Sequence, residues 1–144
     1  MSRQLALGGQ PVLVAHWAEA ASVVQTHQHL NRLLLVEARL DMPLAPLLRS
    51  AAERGCALVV CLGRDAEQVV VAVEAAYQSL PLSQRIATSW HDPDRDPEAA
   101  LDAFFLFSTW VGGVPGVPLL LTEDAGLDAI LEAARTLHAR TRAP

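Results

Sequence analysis

Cys56-Ala57-Leu58-Val59-Val60-Cys61-Leu62, closed by Gly63-Arg64-Asp65 and continued by Ala66 to Tyr77, is the stretch that decides the fold. The apolar run between two glycines predicts a strand. Asp65, with Gln68 three positions on, then predicts a capped helix start, and the helix runs to Tyr77. Four valines in that helix (Val69, Val70, Val71 and Val73) are weak helix formers, so burial against a sheet must hold it.

The same strand-then-helix unit recurs on both sides. Pro11 to His16 leads into an alanine-rich helical pattern reaching about Leu30. Asn31-Arg32 opens Leu33 to Ala38, a nearly continuous apolar run expected of a central strand buried on both faces. Pro43 to Gly55 carries Leu44, Leu47, Leu48 and Ala51 at helical spacing, with start and stop signals at its ends. Ile86 to Trp90 predicts a short strand, and Asp96-Pro97-Glu98 opens a helix through Phe104, Phe105 and Phe107 to Trp110. Val117 to Leu121 is the last strand, followed by a helix on Leu127, Ile130, Leu131, Ala134 and Leu137.

Alternation of this kind predicts an α/β fold: a three-layer sandwich around a mostly parallel sheet of about five strands, flavodoxin-like or Rossmann-like. Residues 1–10 read as a flexible lead-in, 11–140 as a single α/β domain and 141–144 as a tail.

Composition narrows the function classes. The chain has 144 residues, 51% hydrophobic and 19% charged, enough for one self-sufficient core. No apolar run approaches the roughly 20 residues of a bilayer span, and no secretory signal opens the chain, so the expectation is a cytoplasmic protein without a membrane partner. A net charge of −5 argues against nucleic acid as partner and for a basic protein surface. All eleven cations are arginines, so catalysis by a phosphate-loop or Schiff-base lysine is excluded. Cys56 and Cys61 sit five apart on one predicted strand, on opposite faces, and fit no zinc pattern.

In parallel sheets ligands bind beyond the carboxyl ends of the strands. The residues there are His16 and Trp17; Glu37, Arg39 and Asp41; Arg64 and Asp65; Trp90, His91, Asp92 and Asp94; and Thr122, Glu123 and Asp124. His91 with Asp92, Asp65 or Glu123 could serve acid–base or metal-assisted catalysis. Trp90, His91, Asp92, Asp94, Glu37, Arg64 and Asp124 form the candidate binding surface. Glu37 interrupts an apolar strand and calls for a partner such as Arg64 or Arg39. Ser89-Trp90-His91-Asp92 also has a plain structural reading, in which the Trp anchors a loop and the aspartates turn the chain and cap a helix. No cofactor or metal is implied.

From Asn31 to Thr122 the chain resembles a group of small bacterial α/β proteins without an assigned activity. The resemblance rests on Gly55-Cys56, Gly63-Arg64-Asp65, Ser89-Trp90-His91-Asp92 and Phe104-Phe105. The chain departs from that pattern by lacking a further Cys and Trp after the Gly-Asp turn and by its longer amino-terminal unit. The resemblance implies the fold and draws attention to Trp90-His91-Asp92; it assigns no chemistry.

The leading expectation is a non-enzymatic acidic domain that binds another protein, as an immunity or antitoxin-like factor does. The alternatives are a small enzyme using His91 and its carboxylates, and a structural subunit, such as a homodimer, using the Phe104 to Trp110 helix as its contact surface.

Overall fold

The computed structural model describes residues 3–7, 10–27, 29–78, 87–92, 97–110 and 117–142. In chain order the elements are β1 (Arg3–Leu7), β2 (Gln10–His16), a single 3-10 turn (Trp17–Glu19), α1 (Ala20–Thr26), β3 (Leu30–Val36), α2 (Leu44–Glu53), β4 (Leu58–Leu62), α3 (Ala66–Tyr77), β5 (Ala87–His91), α4 (Pro97–Trp110), β6 (Val117–Thr122) and α5 (Asp124–Arg142). They build a six-stranded sheet in the order β1-β2-β6-β3-β4-β5. β2, β6, β3, β4 and β5 are mutually parallel, and β1 pairs antiparallel with β2.

Alternation along the strands divides the core in two. Leu13, Leu33, Val59 and Leu119 point to one face, where α1, α2 and α3 pack through residues such as Val24, Leu48 and Val69. Val14, Leu34, Val60 and Leu120 point to the other, covered by α4 and α5 through Leu101, Phe104 and Ile130. A strand with both faces covered has no reason to alternate polar and apolar residues, and β3 is buried at all seven positions. The chain winds toward β5 with its helices on one face, then reverses to β6 with its helices on the other. That is the arrangement a right-handed crossover rule demands. Counting the parallel strands alone, the order is 1-5-2-3-4, which differs from the flavodoxin order 2-1-3-4-5 and from the Rossmann order 3-2-1-4-5-6.

Several local expectations are corrected. The amino-terminal lead-in contains β1, paired from Arg3↔Val14 to Leu7↔Gln10. The pairing of Leu7 with Gln10 leaves two residues between the strands, the spacing of a tight hairpin. At the other end α5 continues to Arg142, into the expected tail.

β3 starts at Leu30, three residues ahead of the apolar run, because α1 ends at Thr26 and His27 is already extended. Asn31 and Arg32 are therefore buried strand residues rather than a boundary. The Arg32 guanidinium lies 5.3 Å from the centre of the Phe104 ring, a cation–π contact that suits a largely desolvated arginine. Burial draws its pKa below the ordinary value.

β4 starts at Leu58, so the opposite-face relation expected of Cys56 and Cys61 does not hold. Cys56 precedes the strand, its thiol facing the Leu58 carbonyl at 3.4 Å, and both cysteines lie in the core beneath α2 and α3. Burial pushes each thiol up to about 12, away from the thiolate form. Phe104 and Phe105 are buried against the sheet, so they are core and not the contact surface expected of that helix.

Candidate functional site

The parallel strands deliver those of the predicted residues that the structure describes to one rim, as the rhythm of the sequence requires. The loops leaving β2, β3 and β4 turn to the α1–α3 face, and those leaving β5 and β6 turn to the α4–α5 face. Neighbouring strands whose loops diverge leave a crevice between them. Two such places exist: one around β6, flanked by β2 and β3, and one between β4 and β5.

The β4–β5 end holds the residues with the most evident chemistry. Leu62 stands opposite His91 in register, and the Gly63 N–H donates to the His91 carbonyl at 3.3 Å. The His91 ring is half-buried, with Nε2 3.2 Å from the Ser89 hydroxyl. Trp90 is 48% exposed on this edge strand, and Asp92 is half-buried just beyond it. Asp65 is exposed and makes no side-chain hydrogen bond at the start of α3, so the expected capping box is not formed. Asp94 lies outside the described residues, as does the side chain of Asp124, the first residue of α5.

Glu123 belongs to a different neighbourhood. β3 and β4 stand between β6 and β5. Three strand spacings set the Glu123 and His91 backbones roughly 14 Å apart, beyond a shared hydrogen bond. Glu123 instead faces Arg39, with Oε1 3.7 Å from the guanidinium, which also binds Asp41 at 3.2 Å. Among the described residues no group of three or more His, Cys, Asp or Glu side chains could hold a metal ion.

Glu37 also departs from its expected role. It sits one residue past β3 with φ of 53°, exposed, and its carboxylate accepts a hydrogen bond from the backbone N–H of Arg64 at 3.3 Å. The partner is thus the Arg64 main chain, joining the loops after β3 and β4, rather than a guanidinium.

The other crevice opens into a cleft of about 580 Å³ on the α1–α3 face, between α1 and α2. That volume is in the range of small-molecule sites. Its walls are mostly apolar, from Trp17, Val24, Met42, Leu44 and Leu47 with the polar Gln25 and Ser50, and its mouth carries His16, Arg39 and Glu123. Trp17 lines it next to His16. Its indole N–H donates to the Val36 carbonyl at 2.8 Å, tying the exit of β2 to the exit of β3 across the end of β6.

His16 Nδ1 accepts the Ala18 N–H at 3.0 Å, so a neutral ring carries its proton on Nε2 and keeps that atom as a donor. His16, Trp17, Arg39 and Glu123 are rim residues in the sequence reading. Gln25, Met42 and Ser50 of the cleft are not, because only the strand order shows that α1 and α2 flank one opening. No protein-family model matches this chain, and comparison with curated proteins finds no match.

Proposed function

We propose that this protein is a non-enzymatic binding domain whose ligand occupies the cleft between α1 and α2. The observation that supports it is the coincidence of a half-open, mostly apolar cleft with a reversal of winding at β6, where doubly wound sheets hold ligands. The polar side chains suit recognition: a guanidinium, a carboxylate and an imidazole line a mostly apolar volume. A ligand bound there stabilises the folded state in proportion to its concentration over its dissociation constant.

The test is a thermal-shift screen of small organic molecules on the full chain, repeated on Ala21→Trp. Ala21 is exposed on α1 and lines the cleft, so the indole fills the opening without entering the core. Ligands that raise the Tm of the wild type are expected to lose their effect on the variant. Shifts that survive unchanged in Ala21→Trp would remove the cleft from consideration.

A second reading, protein binding in the manner of an immunity factor, draws support from the exposure of Trp90 beside His91 and Asp92 on an edge strand. It predicts a partner retained by the wild type and lost by both Trp90→Ala and Asp92→Arg. A partner retained equally by all three proteins overturns it.

A further inference from the structure

We infer that the ligand of this cleft is a small zwitterion with an apolar body, of the α-amino acid type. The inference rests on the cleft being a binding site and adds what the site selects. Its polar end offers charges of both signs close together: the Arg39 guanidinium and the Glu123 carboxylate, 3.7 Å apart.

That separation exceeds hydrogen-bond length, so the two groups attract without saturating each other. Both side chains are more than half exposed, at 57% and 51%, and water screens what attraction there is. The pair opens at little cost. An anion that takes Arg39 leaves Glu123 to solvent, and a cation that takes Glu123 leaves Arg39 with Asp41 alone, whereas a ligand that brings both charges engages both groups.

Arg39 has donors to spare. Asp41 engages only its Nε, leaving the terminal nitrogens of the fork to grip a carboxylate. His16 adds its remaining Nε2 donor to the same mouth. Glu123 is the one carboxylate lining the cleft among the described residues and can accept from an ammonium group. Besides Gln25 and Ser50 the remaining walls are mostly apolar, with Trp17, Val24, Leu44 and Leu47 among them, and suit an aliphatic or aromatic side chain.

The experiment is calorimetric titration of the full chain with three probes sharing one apolar body: phenylalanine, 3-phenylpropionate and phenethylamine, the zwitterion, anion and cation. Phenylalanine is expected to bind about tenfold or more tighter than either single-ended probe, the worth of one added charge-assisted hydrogen bond. Glu123→Gln should reduce phenylalanine to the level of 3-phenylpropionate, and Arg39→Gln to the level of phenethylamine. Both changes are on exposed side chains and leave the core intact.

Equal binding of phenylalanine and either single-ended probe overturns the inference, as does a phenylalanine affinity indifferent to both variants. If phenylalanine fails to bind while screen ligands remain sensitive to Ala21→Trp, the zwitterion falls and the cleft stands. If neither behaves as expected, both fall.

Discussion

Two ends of one rim differ in a way that separates chemistry from enclosure. At the β4–β5 end, Trp90, His91, Asp92 and Asp65 look like a site in sequence, yet they are spread along an edge strand and a helix start, with Trp90 and Asp65 exposed and His91 and Asp92 half-buried. At the β6 end, His16, Trp17, Arg39 and Glu123 belong to three separated segments, and their strands lie together in the sheet. Titratable residues close in sequence need not make a pocket. A pocket needs walls, and here they come from α1 and α2, which the reversal of winding leaves flanking the opening.

The two tryptophans give the largest expected contrast. Trp17 is half-buried, packs against the core and donates its indole N–H to Val36 across the end of β6. Truncation to alanine removes that bond and the aromatic packing, and should cost about 3 kcal/mol. Trp90 is 48% exposed, and Trp90→Ala should cost less than about 0.5 kcal/mol. Urea denaturation of both variants, compared at constant slope, checks this. Similar losses from both would mean that the β5 end is a structural anchor and would undo the distinction.

How far the sequence reveals this molecule follows from the range of the forces involved. The parallel sheet and its helices are legible because Leu33 to Val36 and Leu58 to Leu62 show the uniform burial of covered strands. The helix of Leu44, Leu47, Leu48 and Ala51 shows its stripe as well. The insertion of β6 between β2 and β3 is not legible, since no local pattern encodes which strands become neighbours. That single fact moves Glu123 away from His91 and beside Arg39.

Asn31 and Arg32 mislead for a related reason. Their polarity reads as a loop, while the Phe104 ring from α4 and the shared sheet make a buried strand end tolerable. β1 is missed because a Gly-Gly dipeptide signals both the end of order and the tip of a hairpin.

Titration probes the core behind the β4–β5 end. The ordinary thiol value is 9.0, and burial raises Cys56 and Cys61 to about 12; Tyr77 is raised too, by burial first and then by the two nearby thiols. Below about pH 9 the folded and unfolded chains hold the same protons, and these groups add no pH dependence. Above it the unfolded chain ionises and the folded chain does not, so stability falls as pH rises from about 9 toward 12. The loss should be roughly 1 kcal/mol per thiol by about pH 10. Urea midpoints measured from pH 7 to 10 should therefore decline, and Cys56→Ala and Cys61→Ala should each flatten the decline while lowering its starting value. A flat wild-type profile would place the thiols in contact with solvent.

The narrowest contrast between two variants is expected at Glu37, the residue where the two ends of the rim meet. Its φ of 53° lies in the left-handed region, which costs a residue with a side chain roughly 1–2 kcal/mol. The neighbouring strand exit explains why the chain accepts this. A Cβ on Gly63 would fall 3.0 Å from the Glu37 Cα, so the turn after β3 and the glycine after β4 are fitted to each other. The carboxylate returns part of the cost through its bond to the Arg64 N–H.

Glu37→Gly relieves the strain but loses that bond and adds freedom to the unfolded chain, terms of about 1 kcal/mol each that oppose the relief. The net change should stay within about 1 kcal/mol. Glu37→Ala keeps the strain and loses the bond, so it should be the less stable of the two variants. Chemical denaturation of the pair decides the point. Alanine more stable than glycine here would show that the loop relaxes out of the left-handed conformation, and that the β3 and β4 exits are less firmly joined than the two ends of the cleft.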